Sequence, residues 1–143
     1  MTIKERNQQL RVVGEILMVH MPELIDEDPS LARDLLSVAA TALHDIHEDA
    51  EQSAKAWDKR AYHLRADEMR REWEWALGAS NYALGLALRP DPIRQSDIDR
   101  LQRLIEPDLG KPARRQITDP SRFRGAAKAI RQQQQQRRKP VRW

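Results

Sequence analysis

The chain of 143 residues contains no cysteine, which excludes disulfides, thiolate metal sites and cysteine nucleophiles and fits a reducing compartment. It also lacks long apolar runs. The longest, Trp75 to Leu88, has 14 residues, whereas a membrane-spanning helix needs about 20. The first residues, Met1 to Arg6, are polar and have no apolar signal-peptide core. Together these absences give the expectation of a cytoplasmic chain with no membrane partner. Motifs that would carry a reaction are missing as well: there is no Gly-rich phosphate loop, no His-Glu-x-x-His run and no Ser-His-Asp spacing. The expectation is a non-enzyme with no cofactor. Helix breakers are absent from a long central stretch, with no proline between Pro29 and Pro90 and no glycine between Pro29 and Gly78.

What is present is charge, and it is unevenly placed. A formal net charge of +3 hides two opposed segments. Residues 111–143 hold eleven Lys and Arg against one acid, Asp119, a net of +10. Residues 1–110 hold the other fourteen basic residues against twenty-one acidic ones, a net of −7. The pattern predicts an acidic body, 1–110, and a basic Gln/Arg-rich C-terminal arm, 111–143, that seeks a polyanion or an acidic protein surface. Arg114, Arg115, Arg122, Arg124, Lys128, Arg131, Arg137, Arg138 and Lys139 are the candidate nucleic-acid-binding residues, since arginines interleaved with aromatics (Phe123 and Trp143) suit phosphate contacts and base stacking. The spacing does not distinguish RNA from DNA. The arm ends in Gln132 to Gln136 followed by Arg137-Arg138-Lys139, a low-complexity composition that predicts a largely disordered arm. One short amphipathic helix is expected in it over about 120–131, with Phe123, Ala127 and Ile130 on one side.

The body reads as all-α. Thr2 and Glu5 match a capping box, followed by Leu10, Val13, Ile16, Leu17 and Met21 at helical spacing, and Pro22 ends or kinks that helix. Glu23 to Asp28 reads as an acidic loop. Asp-Pro pairs at Asp28-Pro29, Asp91-Pro92 and Asp119-Pro120 suit helix starts, because aspartate caps free N–H groups and proline fits the first turn. Residues 29–89 can form one helix of about 90 Å. Ala32, Leu35, Ala39, Leu43, Ile46, Ala50, Ala54, Trp57, Ala61 and Leu64 share one stripe. A second stripe starts near Tyr62 and runs Ala66, Met69, Trp73, Ala76, Ala83, Leu84 and Ala87, while Trp75, Ala79, Tyr82 and Leu86 resume the first. A helix apolar on two sides is central in its assembly. Either it folds back as a hairpin near Glu51–Lys55, or it runs on and a second chain covers its far half; the absence of turn residues favours the continuous helix and self-association. Small residues around Gly78 and Gly85 suit close helix packing. The expected fold is thus a helical bundle or hairpin built on one long, possibly broken, central helix. A shorter helix is expected from Pro92 or Ser96 to Glu106.

The candidate interface residues are Trp57, Trp73, Trp75, Gly78, Tyr82, Gly85, Phe123 and Ile130, since tryptophan, tyrosine and close-packing positions dominate protein contacts. His44 and His47 lie three apart, but no Glu-x-x-His pair faces them, so the expectation is a solvated polar face and no metal. Two functions follow from the residues. One is a non-catalytic helical accessory subunit of a nucleic-acid-containing assembly that grips phosphates through its arm. The other is a helical adaptor or assembly factor that self-associates and docks its basic tail on an acidic protein partner. In either case the chain is a homo-oligomer or a subunit of a larger complex.

Overall fold

The computed structural model describes residues 1–106, 111, 112 and 114–138, the last as backbone only. It is all-helical, with no strand among the described residues. The order is α1 (Ile3–Glu15), a π-helical turn (Ile16–His20), α2 (Met21–Glu27), α3 (Pro29–Lys59), α4 (His63–Leu88), α5 (Gln95–Leu104), a 3-10 turn (Pro120–Phe123) and α6 (Ala126–Arg138). No helix among the described residues is long and apolar enough to cross a membrane.

The centre of the fold is the antiparallel pair α3 and α4. Its seam is built from alanine: Ala32, Ala39, Ala50 and Ala54 on α3, and Ala66, Ala76, Ala79, Ala83 and Ala87 on α4, all buried. Methyl side chains let two helices approach closely at the low end of the usual 8–10 Å separation. Ser80 completes the seam by donating its hydroxyl hydrogen bond to the Ala40 carbonyl at 2.8 Å. Helix α1 with the π turn covers the other side of α3, burying Leu10, Val13, Ile16, Leu17 and Met21 against Leu35, Leu36 and Leu43.

The sequence expectation of one helix over 29–89 gives way to a hairpin, and the break falls at Arg60–Tyr62 rather than at Glu51–Lys55. Ala61 adopts φ 63°. Its N–H donates to the Asp58 carbonyl at 2.9 Å, and the Tyr62 N–H donates to the Trp57 carbonyl at 2.9 Å. These two bonds close a Schellman motif, in which the left-handed position is usually glycine. Tyr62 packs edge-on against Trp57, with ring centroids 5.7 Å apart, supplying the apolar contact that accompanies the motif. Arg70 on α4 braces the hairpin by pairing with both Asp58 and Glu51 on α3.

Other local expectations divide. The Thr2–Glu5 capping box forms, and Asp28 caps α3 through the Leu31 N–H with Pro29 in the first turn. Asp119 begins only a 3-10 turn. Asp91-Pro92 does not start α5: the helix begins at Gln95, where Asp97 accepts the Arg94 N–H at 2.9 Å and pairs with Arg89. The stretch Glu23–Asp28 is not a loop, because α2 runs through Glu27 with Pro22 in its first turn.

Candidate nucleic-acid interface

Over its described residues the basic C-terminal segment lies on the body; the end of the arm that composition predicts to be disordered, from Lys139 on, lies outside the described residues. Three carboxylates of the body hold the segment, each through backbone N–H groups or a guanidinium. Buried Glu15 accepts the Ile117 N–H at 2.8 Å and the Gln116 N–H, and Ile117 itself is buried in the core. Asp34 accepts the Gly125 N–H at 2.9 Å and the Ala127 N–H at 3.0 Å, so it caps α6 from a neighbouring helix. Gly125 has φ 95°, a conformation that disfavours any side chain. Asp28 pairs with Arg124 at 2.8 Å, and this guanidinium holds the Asp28 carboxyl below its ordinary range.

Glu15 is tuned by its surroundings. Burial works to raise its pKa, but the His20 hydrogen bond and the two backbone N–H groups outweigh it, and the net shift is downward. His20 Nε2 sits 2.9 Å from Glu15 Oε2, and both side chains are buried. Carboxylates accept only, so Nε2 carries the proton.

Helix α6 lies along α3, extending beyond the expected 120–131 through the glutamines to Arg138. Its inner side presents Ile130 to a groove of about 400 Å3 lined also by Val12 of α1 and by Val38 and Ala42 of α3. Its outer side presents Lys128, Arg131, Gln132 and Gln135 to solvent. Of the predicted nucleic-acid residues, Arg114, Arg115, Arg122, Lys128 and Arg137 are exposed, and none of them forms a direct ion pair among the described residues, although Arg122 acts on Asp119 at longer range. Arg122 stacks on Phe123, 4.8 Å from the ring centroid. Arg124 and Arg131 are also exposed but engaged, the former with Asp28 and the latter with the Leu88 carbonyl at 2.8 Å. The Arg138 side chain and Lys139 lie outside the described residues.

The predicted interface residues do not form one patch. Trp73 is buried, and Arg6 stacks over it at 4.6 Å. Trp75, half-buried, shares with Trp73 a groove of about 620 Å3 beside Ile3 and Arg71, and neither indole N–H has a hydrogen-bond partner among the described residues. Trp57 is at the far end of the hairpin. Tyr82 and Phe123 are half-buried against the core. Gly78 and Gly85 face solvent with nothing within 4 Å of a hypothetical Cβ, so the close packing expected of them occurs at the alanine seam instead.

Sequence reasoning missed Glu15, Asp34 and Arg33. The last caps the α4 C-terminus by donating to the carbonyls of Leu86, Ala87, Arg89 and Asp91. On regular helical spacing both Glu15 and Asp34 fall opposite the apolar stripes of their helices, so nothing in the sequence marks them as inward. Nothing in the sequence marks Arg33. His44 has only exposed, long contacts to Asp45 and Glu48, and no group of three or more metal-ligating side chains occurs among the described residues. Comparison with protein-family models, curated protein sequences and solved structures gives no significant match, so function is read from the chain's own geometry.

Proposed function

We propose that this chain is a non-catalytic helical accessory subunit of a nucleic-acid-containing assembly, and that its C-terminal segment binds the phosphate backbone. The observation that carries this reading is the way the segment is held. The body's carboxylates Glu15 and Asp34 engage its backbone N–H groups, not its side-chain cations. Five cations, Arg114, Arg115, Arg122, Lys128 and Arg137, therefore remain exposed without a direct ion pair among the described residues, Arg122 acting on Asp119 only at longer range. A tail that served only to neutralise its own acidic body would bury these charges in ion pairs. Here Arg124–Asp28 is such a pair, while the five lie on an ordered surface where polyvalent phosphate can meet them without the entropy cost of ordering a free tail.

The test is fluorescence anisotropy with single-stranded RNA, single-stranded DNA and duplex probes at several salt concentrations. Truncation at residue 110 would remove Ile117 from the core, so the better variant changes the five exposed cations to glutamine and leaves the anchors intact. The expected outcome is binding whose logarithm falls linearly with log salt, with a slope of about −3.5 on single strands and about −4.5 on duplex if five phosphates are neutralised. The variant should lose most of this slope while its helicity stays unchanged. Salt-insensitive binding, or no binding by the native chain at low salt, would sink the reading and favour the adaptor, whose basic segment docks on an acidic protein.

A further inference from the structure

Three helix ends meet beside the C-terminal segment: the start of α3, the end of α4 and the start of α6. Between them lies a concave pocket of about 340 Å3. Four cations line it: Arg33 from α3, Arg124 from the end of the 3-10 turn, and Lys128 and Arg131 from α6. Ser30, in the first turn of α3, lines it too. Asp34 is the one acid in the lining among the described residues. Both of its carboxylate oxygens are taken, by the Gly125 and Ala127 N–H groups. Asp91 gives Arg33 its carbonyl, but its carboxylate is not part of the lining.

The fold cancels little of this positive charge. Arg33 donates to backbone carbonyls at and just beyond the end of α4, and Arg131 donates to the Leu88 carbonyl. A neutral carbonyl satisfies an N–H and leaves the charge of the guanidinium in place. Lys128 is exposed and has no partner among the described residues. Arg124 alone pairs with an acid, Asp28, through one terminal nitrogen. With Asp34 and Asp28 set against the four cations, the pocket keeps an excess of two positive charges. Capping α4 accounts for Arg33, which meets four carbonyls there by itself. It does not account for Lys128 in the same pocket.

We infer that this pocket binds a phosphate monoester, the group that ends a nucleic-acid strand or a mononucleotide. A monoester carries about −1.5 to −2 charges at pH 7 and three acceptor oxygens, which matches an excess of two cations around a compact depression. A phosphodiester carries one charge and continues on both sides, so it suits the exposed cations outside the pocket better than the pocket itself. Lys128 offers three donors to the phosphate oxygens, Arg124 a planar guanidinium and Ser30 a hydroxyl. The inference deepens the reading above by giving the C-terminal segment a site for strand ends. It rests on that reading only for the strand as the source of the monoester.

The test is fluorescence anisotropy of the full chain with a single strand of about ten nucleotides that carries a phosphate at its 5′ end, at its 3′ end or at neither. A strand phosphorylated at one end should bind at least about tenfold more tightly than the hydroxyl-ended strand. Ser30→Glu puts a carboxylate in the pocket and suits the first turn of a helix. It should bring the ratio between the two strands to about one, since like charges then meet. Gln52→Glu adds the same charge at an exposed position of the same helix, about 33 Å away, and should keep the ratio. Circular dichroism checks that both variants fold. Equal binding of the three strands by the native chain overturns the inference and leaves the backbone reading to its own salt slope. A preference that survives Ser30→Glu, or that Gln52→Glu also removes, overturns it as well. If the chain binds no strand, titration calorimetry with adenosine monophosphate and adenosine decides. Binding of the monophosphate alone, lost in Ser30→Glu, supports the pocket and sinks the backbone reading; no preference for the monophosphate overturns both.

Discussion

Glu15 and His20 are five residues apart in the chain, yet their side chains meet at 2.9 Å in the core. In a regular α-helix such residues point about 140° apart. The π turn over Ile16–His20, in which the Met21 N–H donates to the Ile16 carbonyl, changes that register and turns both side chains inward. The carboxylate so placed reaches across to the backbone of Gln116 and Ile117, so one local irregularity in the first helical run fixes where the C-terminal segment lies.

Replacing Glu15 with glutamine should cost about 2–4 kcal/mol, because two backbone donors and the His20 ring lose a buried charged acceptor. The pH dependence has a definite sign. The Glu15 pKa is lowered from its ordinary 4.5, so its contribution is complete above that value and is lost as pH falls through the lower folded-state pKa. Urea unfolding at a series of pH values should therefore show the native chain losing stability below about pH 4.5 more steeply than Glu15→Gln. Equal slopes would show that Glu15 is not linked to folding.

Asp34→Ala removes the cap of α6 while leaving its sequence untouched. The expected loss is about 1 kcal/mol, in the range for an N-cap aspartate. It should be local: amide exchange in Gly125–Ile130 should accelerate, and exchange in the α3–α4 seam should not change.

Gly85→Ala should stabilise the chain by about 0.8–1 kcal/mol, the propensity difference in a helix interior, since a Cβ there meets nothing within 4 Å. The same holds for Gly78. Thermal denaturation reads both. A loss of stability at either position would mean that the exposed face of α4 is covered by a partner.

Ala61→Gly tests the hairpin turn. Glycine accepts positive φ without the Cβ clash, which for L-residues costs about 1–2 kcal/mol, while its greater unfolded-state freedom offsets part of the gain. A net stabilisation of up to about 1 kcal/mol is expected in chemical denaturation. Destabilisation would show that the Ala61 methyl makes a contact that outweighs its backbone strain.

The sequence by itself determined the helical class, the capped starts at Thr2 and Asp28, and most of the core. The expected stripe is buried from Ala32 to Ala54, because side chains three and four apart share a helix face, but its continuation through Ala61 and Leu64 is exposed, because the helix breaks at Arg60–Tyr62. The charge division between residues 1–110 and 111–143 was equally plain. Tertiary structure decided three things that spacing cannot express. The hairpin turns on an alanine in a conformation that usually marks itself by glycine, so no breaker announced it. The small-residue stretch was legible, but only packing showed that alanines form the seam while Gly78 and Gly85 face outward. The C-terminal segment reads as solvated by composition, since local composition counts its charges and glutamines, whereas its position is set by backbone N–H groups bonding to Glu15 and Asp34, about a hundred residues away in the chain. Every residue but proline offers such an N–H, so its sequence carries no trace of the contact.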